Sequence, residues 1–235
     1  MPTARHAWKP LPDDPIQELE DNLRAIPGHV AGMPRGSRRM SIARRADRKL
    51  VFYDSFAVDD DKLAAIHAFG EPAYQVITNL HHCREVAAFK ERLGVKTFCA
   101  RSIVHKVRRR VQVDGLHEEL PPDPTMELRP AGGLRTGEAW LVVRSGDRTS
   151  VLIADSVMWF PEGNWMVRLM GLVGPEPKVA PPFFRLIQLA DKRAFRASFE
   201  ALLDSTPITR VVPCHGPIIE GDVNGRMRRA LDAVF

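Results

Sequence analysis

Three apolar segments of this 235-residue chain end abruptly in histidine, asparagine or aspartate, and that repetition limits what the chain can fold into. AYQVIT runs into Asn79, His81 and His82, SVLIA into Asp155, and TRVVPC into His215. Short apolar runs bounded by polar text read as buried strands. In αβ folds the loops at the carboxyl ends of strands converge on one rim, and the strands behind hold them rigidly. Histidine and carboxylate are also the groups that zinc, iron or manganese accept. The placement outlines a metal site at a sheet edge.

The text between these tips alternates between strand and helix. An N-terminal helix is expected from Pro15, capped by Asp13 or Asp14, with Ile16, Leu19, Leu23 and Ile26 at helical spacing until Pro27-Gly28 stops it. Residues 29–53 have hairpin grammar, with Met40, Ile42 and LVFY as strand residues and Ala46-Asp47-Arg48 as the turn. Asp59 to Asp61 give an acidic first turn to a helix that carries Leu63, Ile66 and Phe69 and closes at Gly70. NLHHCREVAAFKERLG is expected to form a helix and VKTFCA a strand, with further strand candidates at VRRRVQV, TMELRP and EAWLVVRS. Residues 160–182 are rich in Gly and Pro without a clean period, which predicts a long surface excursion. The helices DKRAFRASFEALLDS and NGRMRRALDAV flank the strand TRVVP. Together these describe one domain over residues 1–235, with residues 1–28 as a lead and helix packed on it.

Composition narrows the functional classes. The formal charge of +5 reflects arginine clusters around residues 35–49 and 106–110. Phosphate binding needs cations on one face, and these clusters lie on or beside strand-like text where outward charge is ordinary. Nucleic acid is therefore disfavoured as a partner. No apolar run is long enough to span a bilayer and the first residues lack a secretion signal, so no membrane association and a cytoplasmic location are the expectations. Cys83, Cys99 and Cys214 are odd in number and widely spaced, which writes neither a disulfide framework nor a paired-cysteine zinc site.

In its ordered landmarks the chain resembles the metallo-β-lactamase superfamily from about residue 40 to the C-terminus. LVFYDS is similar to that family's early strand ending in aspartate, and VITNLHHCREVAAFKERLG to its strand, metal motif and helix. RTGEAWLVVRSGDRTSVLIADSVM resembles the later hairpin with its bridging aspartate, and RVVPCHGPIIEGD the closing strand with its last histidine. The resemblance implies an αββα sandwich, two mixed sheets face to face with helices outside, and one or two metal ions at a sheet edge.

Set on the family motif T-H-x-H-x-D-H, Thr78 falls on the threonine, Asn79 on the first histidine, His81 on the second, Cys83 on the aspartate and Arg84 on the last histidine. The resemblance thus leaves His81, Asp155 and His215 as metal ligands, with His82 or Cys83 as a fourth partner. A cationic Arg84 would oppose a second ion. With one metal, Asp155 is the catalytic centre's carboxylate and His82 or Cys83 the proton-transfer group. Taken singly, Asn79 and His81 also suit a helix cap, and Asp155 and His215 suit turns.

The reading is a divergent metal-dependent hydrolase of the metallo-β-lactamase fold. It would hold at most one divalent ion (zinc, iron or manganese) or none, and would act on a small-molecule substrate. The alternative is a non-catalytic ligand-binding or assembly module on the same scaffold. The apolar text MWFPEGNWMVRLMGLVG is a candidate lid, buried excursion or homo-oligomer surface.

Overall fold

The run Leu50-Val51-Phe52-Tyr53 is apolar at every position because both of its faces are covered. Val51 and Tyr53 join a cluster between two sheets, while Leu50 and Phe52 point into a second cluster beneath helices. The same split recurs in the other sheet. Leu152 and Ala154 face the inter-sheet core, and Val151 and Ile153 face the opposite helical layer. Strands buried on both faces lose polar alternation, which accounts for the near-continuous apolar runs in the sequence.

In the computed structural model these segments build a helix–sheet–sheet–helix sandwich over residues 7–235; residues 1–6, with His6 and the start of the N-terminal lead, lie outside the described residues. The first sheet has seven strands in sequential order, β1 (Gln17–Glu20), β2 (Leu23–Gly28), β3 (Arg38–Arg44), β4 (Lys49–Tyr53), β5 (Glu71–Val76), β6 (Lys96–Cys99) and β7 (Gly115–Leu116). Pairing is antiparallel through β4 and parallel from there on. The second sheet has four strands in the order β11-β10-β9-β8, with β8 (Met126–Pro130), β9 (Ala139–Ser145), β10 (Arg148–Met158) and β11 (Arg210–His215). Its β10 and β11 are parallel and the other pairs antiparallel. The expected αββα layering is present.

Helices α1 (Asp60–Phe69) and α2 (Val86–Leu93) cover the first sheet, and α6 (Lys192–Ser205) and α7 (Val223–Asp232) the second. Side-chain caps start three of them: Asp59 accepts from the Lys62 amide, Asp191 from Arg193 and Ala194, and Asp222 from Gly225. An accepting carboxylate there satisfies otherwise orphaned N–H groups and meets the positive end of the helix dipole. Three shorter helices, α3 (Val104–Val107), α4 (Trp165–Leu169) and α5 (Pro182–Ile187), lie in the connections. No helix among the described residues is long and apolar enough to cross a membrane.

Three local expectations differ from what is found. The N-terminal helix is instead the β1–β2 hairpin, turning at Asp21-Asn22, with Leu23 opposite Ala43 and Ile26 opposite Met40. Leu23 enters the inter-sheet core and Ile26 the helix-covered face, so strand pairing buries both sides where one helix would bury a single stripe. VRRRVQV is not a strand. Ile103, Val107 and Val111 recur every four residues, and all three pack into one cluster from α3 and the turn after it. NLHHCREVAAFKERLG splits into a 3₁₀ turn at Leu80–His82 and α2, with Cys83 between.

Candidate metal centre

Four strands converge on one rim. From the first sheet, β4 delivers Asp54 and β5 leads through Ile77 and Thr78 into the Leu80–His82 turn; from the second, β10 delivers Asp155 and β11 delivers His215. Asn79 fixes the turn, because its carboxamide oxygen accepts the His81 backbone N–H at 2.7 Å. The β10–β11 register is irregular between Ile153 and Met158, and such a bulge re-aims the side chains within it, here Asp155. Beside it, Arg39 on β3 donates to the carbonyls of Pro213 and Gly216, tying the end of β11 to the first sheet.

Three ligand-type atoms converge there. Oδ1 of Asp155 is 3.0 Å from Nε2 of His82 and 3.1 Å from Nε2 of His215, and the two imidazole nitrogens are 3.1 Å apart. Groups about 2.1 Å from a shared divalent ion lie roughly 3.0–3.4 Å from one another, so a triangle of this size fits one cation. The other ring nitrogens decide which atoms offer lone pairs. Nδ1 of His215 donates to the Ser37 carbonyl at 2.5 Å, and Nδ1 of His82 lies 2.9 Å from Oδ1 of Asp54, off the line of an ideal hydrogen bond. With Nδ1 of His215 donating and the Asp54 carboxylate beside Nδ1 of His82 favouring the proton on that nitrogen, the two Nε2 lone pairs and the Asp155 carboxylate face each other, an arrangement that needs a cation or an extra proton between them.

Electrostatics around the triad is strongly set. Burial pulls the His82 imidazole down, but the carboxylates of Asp54 and Asp155 outweigh it and hold its pKa well above the usual histidine value. Burial opposes ionisation of Asp155 as well, and the flanking His82 and His215 reverse that and hold it well below the carboxylate range. Asp54 is also kept ionised against burial, chiefly by Arg38, whose guanidinium takes both carboxylate oxygens and reaches Glu85 at 2.8 Å. Asp155 Oδ2 accepts the amides of Asn79 at 2.9 Å and Gln188 at 2.6 Å. Glu138 of the β8–β9 connection receives the backbone N–H groups of Asp155 and Ser156. Burial and the neighbouring Asp155 push it up to about 7.

Behind the triad, Asp54, His82 and Cys214 also bring ligand-type atoms within 4.8 Å of one another. That group does not suit a cation. Burial and the Asp54 carboxylate push the Cys214 thiol up to about 12, and Asp54 is already paired with Arg38.

Solved structures similar to this chain match it over almost its whole length. The metallo-β-lactamase DIM-1 exposed to ceftazidime superposes with a TM-score of 0.67 at 14% identity, covering 97% of this chain and 100% of its own. This chain has the metallo-β-lactamase fold. A metallo-β-lactamase from Pontibacter korlensis (TM-score 0.62, 13% identity, 93% and 98% covered) and FIM-1 from Pseudomonas aeruginosa in its mono-zinc form (0.60, 14%, 96% and 97%) share it. No family model matches the sequence, and no curated protein matches it by sequence.

On the metallo-β-lactamase scaffold, the residues singled out in sequence separate clearly. His82, Asp155 and His215 come together; His81 does not join them. Its side chain is exposed on the rim between the cavity over the triad and a neighbouring cleft that holds Arg84 and Arg110. Arg84 therefore faces away from the triad, and its charge does not decide how many ions the site holds. Cys83 is turned into the cluster with Ile77, Val86 and Cys99, its Sγ donating to the Asn79 carbonyl, and burial pushes its thiol up to about 11. It does not line the cavity over the triad and is a poor proton carrier at neutral pH. Of the tryptophans, Trp140 is in the core and Trp165 is exposed; none lines the cavity. Gln188, Glu138 and Arg38 escaped sequence reasoning. Glu138 alone left a trace, as a carboxylate at the mouth of the apolar run AWLVV.

Proposed function

We propose that this chain is a metal-dependent hydrolase whose single divalent ion is held by Nε2 of His82, Oδ1 of Asp155 and Nε2 of His215. The observation that carries this reading is the triangle of these atoms, 3.0–3.1 Å on each side, at the polar end of a cavity of about 320 Å³. A divalent ion supplies Lewis acidity and brings the pKa of water toward neutrality, and three protein ligands are the usual complement of a site that does so. The chain's own groups set the stage for it. Arg38 orients Asp54, Asp54 holds His82 with Nδ1 as the protonated nitrogen, and the Ser37 carbonyl does the same for His215.

The stoichiometry follows from Asp155. Its Oδ2 is already taken by the Asn79 and Gln188 amides, which leaves Oδ1 alone for a cation. That supports one ion in place of two, and FIM-1 in its mono-zinc form supplies a precedent on the same fold. The resemblance suggested His81 as a ligand; this reading gives that place to His82 and leaves His81 on the rim. The small-molecule substrate enters over His81 and meets the triad.

Turnover of chromogenic esters, lactones, thioesters and a β-lactam by the reconstituted wild-type and Asp155→Ala proteins tests the activity. Hydrolysis of at least one class by the wild type, lost in a folded Asp155→Ala variant, is expected. Equal rates in both would overturn the assignment.

A further inference from the structure

The cavity over the triad has one polar end and an otherwise apolar wall. Met158, Phe160, Met170, Leu172 and Phe184 surround the volume away from the histidines, and among the described residues no lysine or arginine lines it. Among the described residues Asp155 is the only carboxylate in the lining, and its Oδ2 already accepts two amides. A carboxylate or phosphate pushed into this volume would lose its hydration without gaining a cationic partner, which is strongly unfavourable. An apolar group meets no such cost. A water molecule takes up roughly 30 Å³ in the liquid and a methylene about as much, so about 320 Å³ accommodates on the order of ten non-hydrogen atoms.

The mouth continues the same chemistry. Of the six exposed large hydrophobic side chains among the described residues, five lie on α4 and α5: Trp165, Leu169, Phe183, Leu186 and Ile187. Single exposed hydrophobics scattered over a surface are ordinary, but a concentration on the two helices beside one cavity is not. Phe183 and Ile187 belong to both the rim and the cavity lining. Met158 and Met170 give the wall unbranched, adaptable side chains, suited to a flexible tail.

We infer that the site takes a ligand with an uncharged, apolar arm of about ten non-hydrogen atoms, its polar head at the triad and its tail leaving between α4 and α5. This names the substrate class of the proposed hydrolase and rests on the triad being the reactive end. The arm, as distinct from the head, must be uncharged, since the wall away from the triad offers no cationic partner to an anionic group.

Isothermal titration of the metal-free and zinc-loaded protein with hexanamide, octanamide and decanamide tests the inference, with suberamate as the octanamide analogue that ends in a carboxylate. Affinity is expected to rise about threefold to fourfold per added methylene. Suberamate should bind at least about tenfold more weakly than octanamide, because its tail carries the charge into the apolar wall. Phe183→Glu and Ile187→Glu, at exposed positions of the cavity lining, should cut octanamide affinity by about tenfold or more. Val30→Glu, at an exposed position outside the cavity lining and off α4 and α5, should leave it unchanged. Affinity independent of chain length, or equal binding of suberamate and octanamide, in a protein that takes up metal would overturn this inference and leave the hydrolase reading standing. Chain-length dependence in a protein that takes up no metal would keep the inference and overturn the hydrolase reading.

Discussion

Oδ1 of Asp54 lies 2.9 Å from Nδ1 of His82, on the edge of the ring opposite Asp155. The imidazole is thus held between two carboxylates, one oriented by Arg38 and the other by two amides. Asp54 sits at φ 59°, a left-handed conformation that aspartate and asparagine tolerate better than most residues. Its backbone conformation and its charge therefore serve one purpose, to aim His82 Nε2 at the triad.

Asp54→Asn keeps the shape and the φ and removes the charge. Loss of such an outer carboxylate is expected to weaken metal binding by about tenfold to a hundredfold. Arg38 keeps Glu85 but loses its buried partner, so folding stability should fall by about 3 kcal/mol. Chelator competition and urea unfolding read the two effects separately.

Metal affinity should increase with pH. Nε2 of His82 must shed its proton before it can ligate, and the two carboxylates hold that proton above the usual histidine range. The expected slope is up to about tenfold in affinity per pH unit while His82 remains protonated, levelling off once it is neutral. The metal-free protein responds in the opposite sense. A raised histidine pKa stabilises the fold fully below about 6.5, its unfolded value, and that contribution is lost as pH rises through the folded value. A titration showing affinity flat from weakly acid to alkaline pH would contradict this arrangement.

Glu138 adds a second, separable pH dependence. Its folded pKa of about 7 lies above the ordinary carboxylate value, so its contribution is fully present below about 4.5 and is lost as pH rises through 7. The amount is on the order of 3 kcal/mol. Glu138→Gln copies the protonated form and should flatten the stability profile of the metal-free protein over that window, measured by urea unfolding at a series of pH values.

Gly216→Ala should be severely destabilising. Gly216 has φ 103°, and a Cβ there would stand 1.8 Å from the Trp159 carbonyl oxygen. Backbone would have to move at the residue after His215, with an expected loss above about 3 kcal/mol and of metal binding along with it. Thermal unfolding of the variant checks the first and metal content the second.

Much of this arrangement could be read from residue order. Asp155 and His215 were legible because each interrupts an apolar run at the sheet edge; His215 ends β11, whereas β10 runs on past Asp155 to Met158 and only its regular pairing with β11 stops, at Ile153. The choice between His81 and His82 was not. Both follow one strand, and only the 3₁₀ turn fixed by Asn79 decides which ring faces inward. Asp54 was visible as a strand end but not as a partner of His82, since the contact joins residues 28 apart whose approach depends on the β4–β5 pairing. Gln188 caps the end of α5, after the Gly- and Pro-rich stretch that periodicity reads only as loop. The N-terminal hairpin was hidden for a different reason: Ile16, Leu19, Leu23 and Ile26 satisfy helical spacing, and the competing factor is the edge of β3, which no local pattern displays.

Metal content of untagged protein, reconstituted with zinc, manganese or iron(II) and freed of excess ion by gel filtration, tests the triad most directly. The account predicts one tightly held ion per chain in the wild type and in His81→Ala, and only trace metal in His82→Ala, with all three proteins folded by circular dichroism. A full complement in His82→Ala, its loss in His81→Ala, or a wild type that takes up none of the three metals would contradict it.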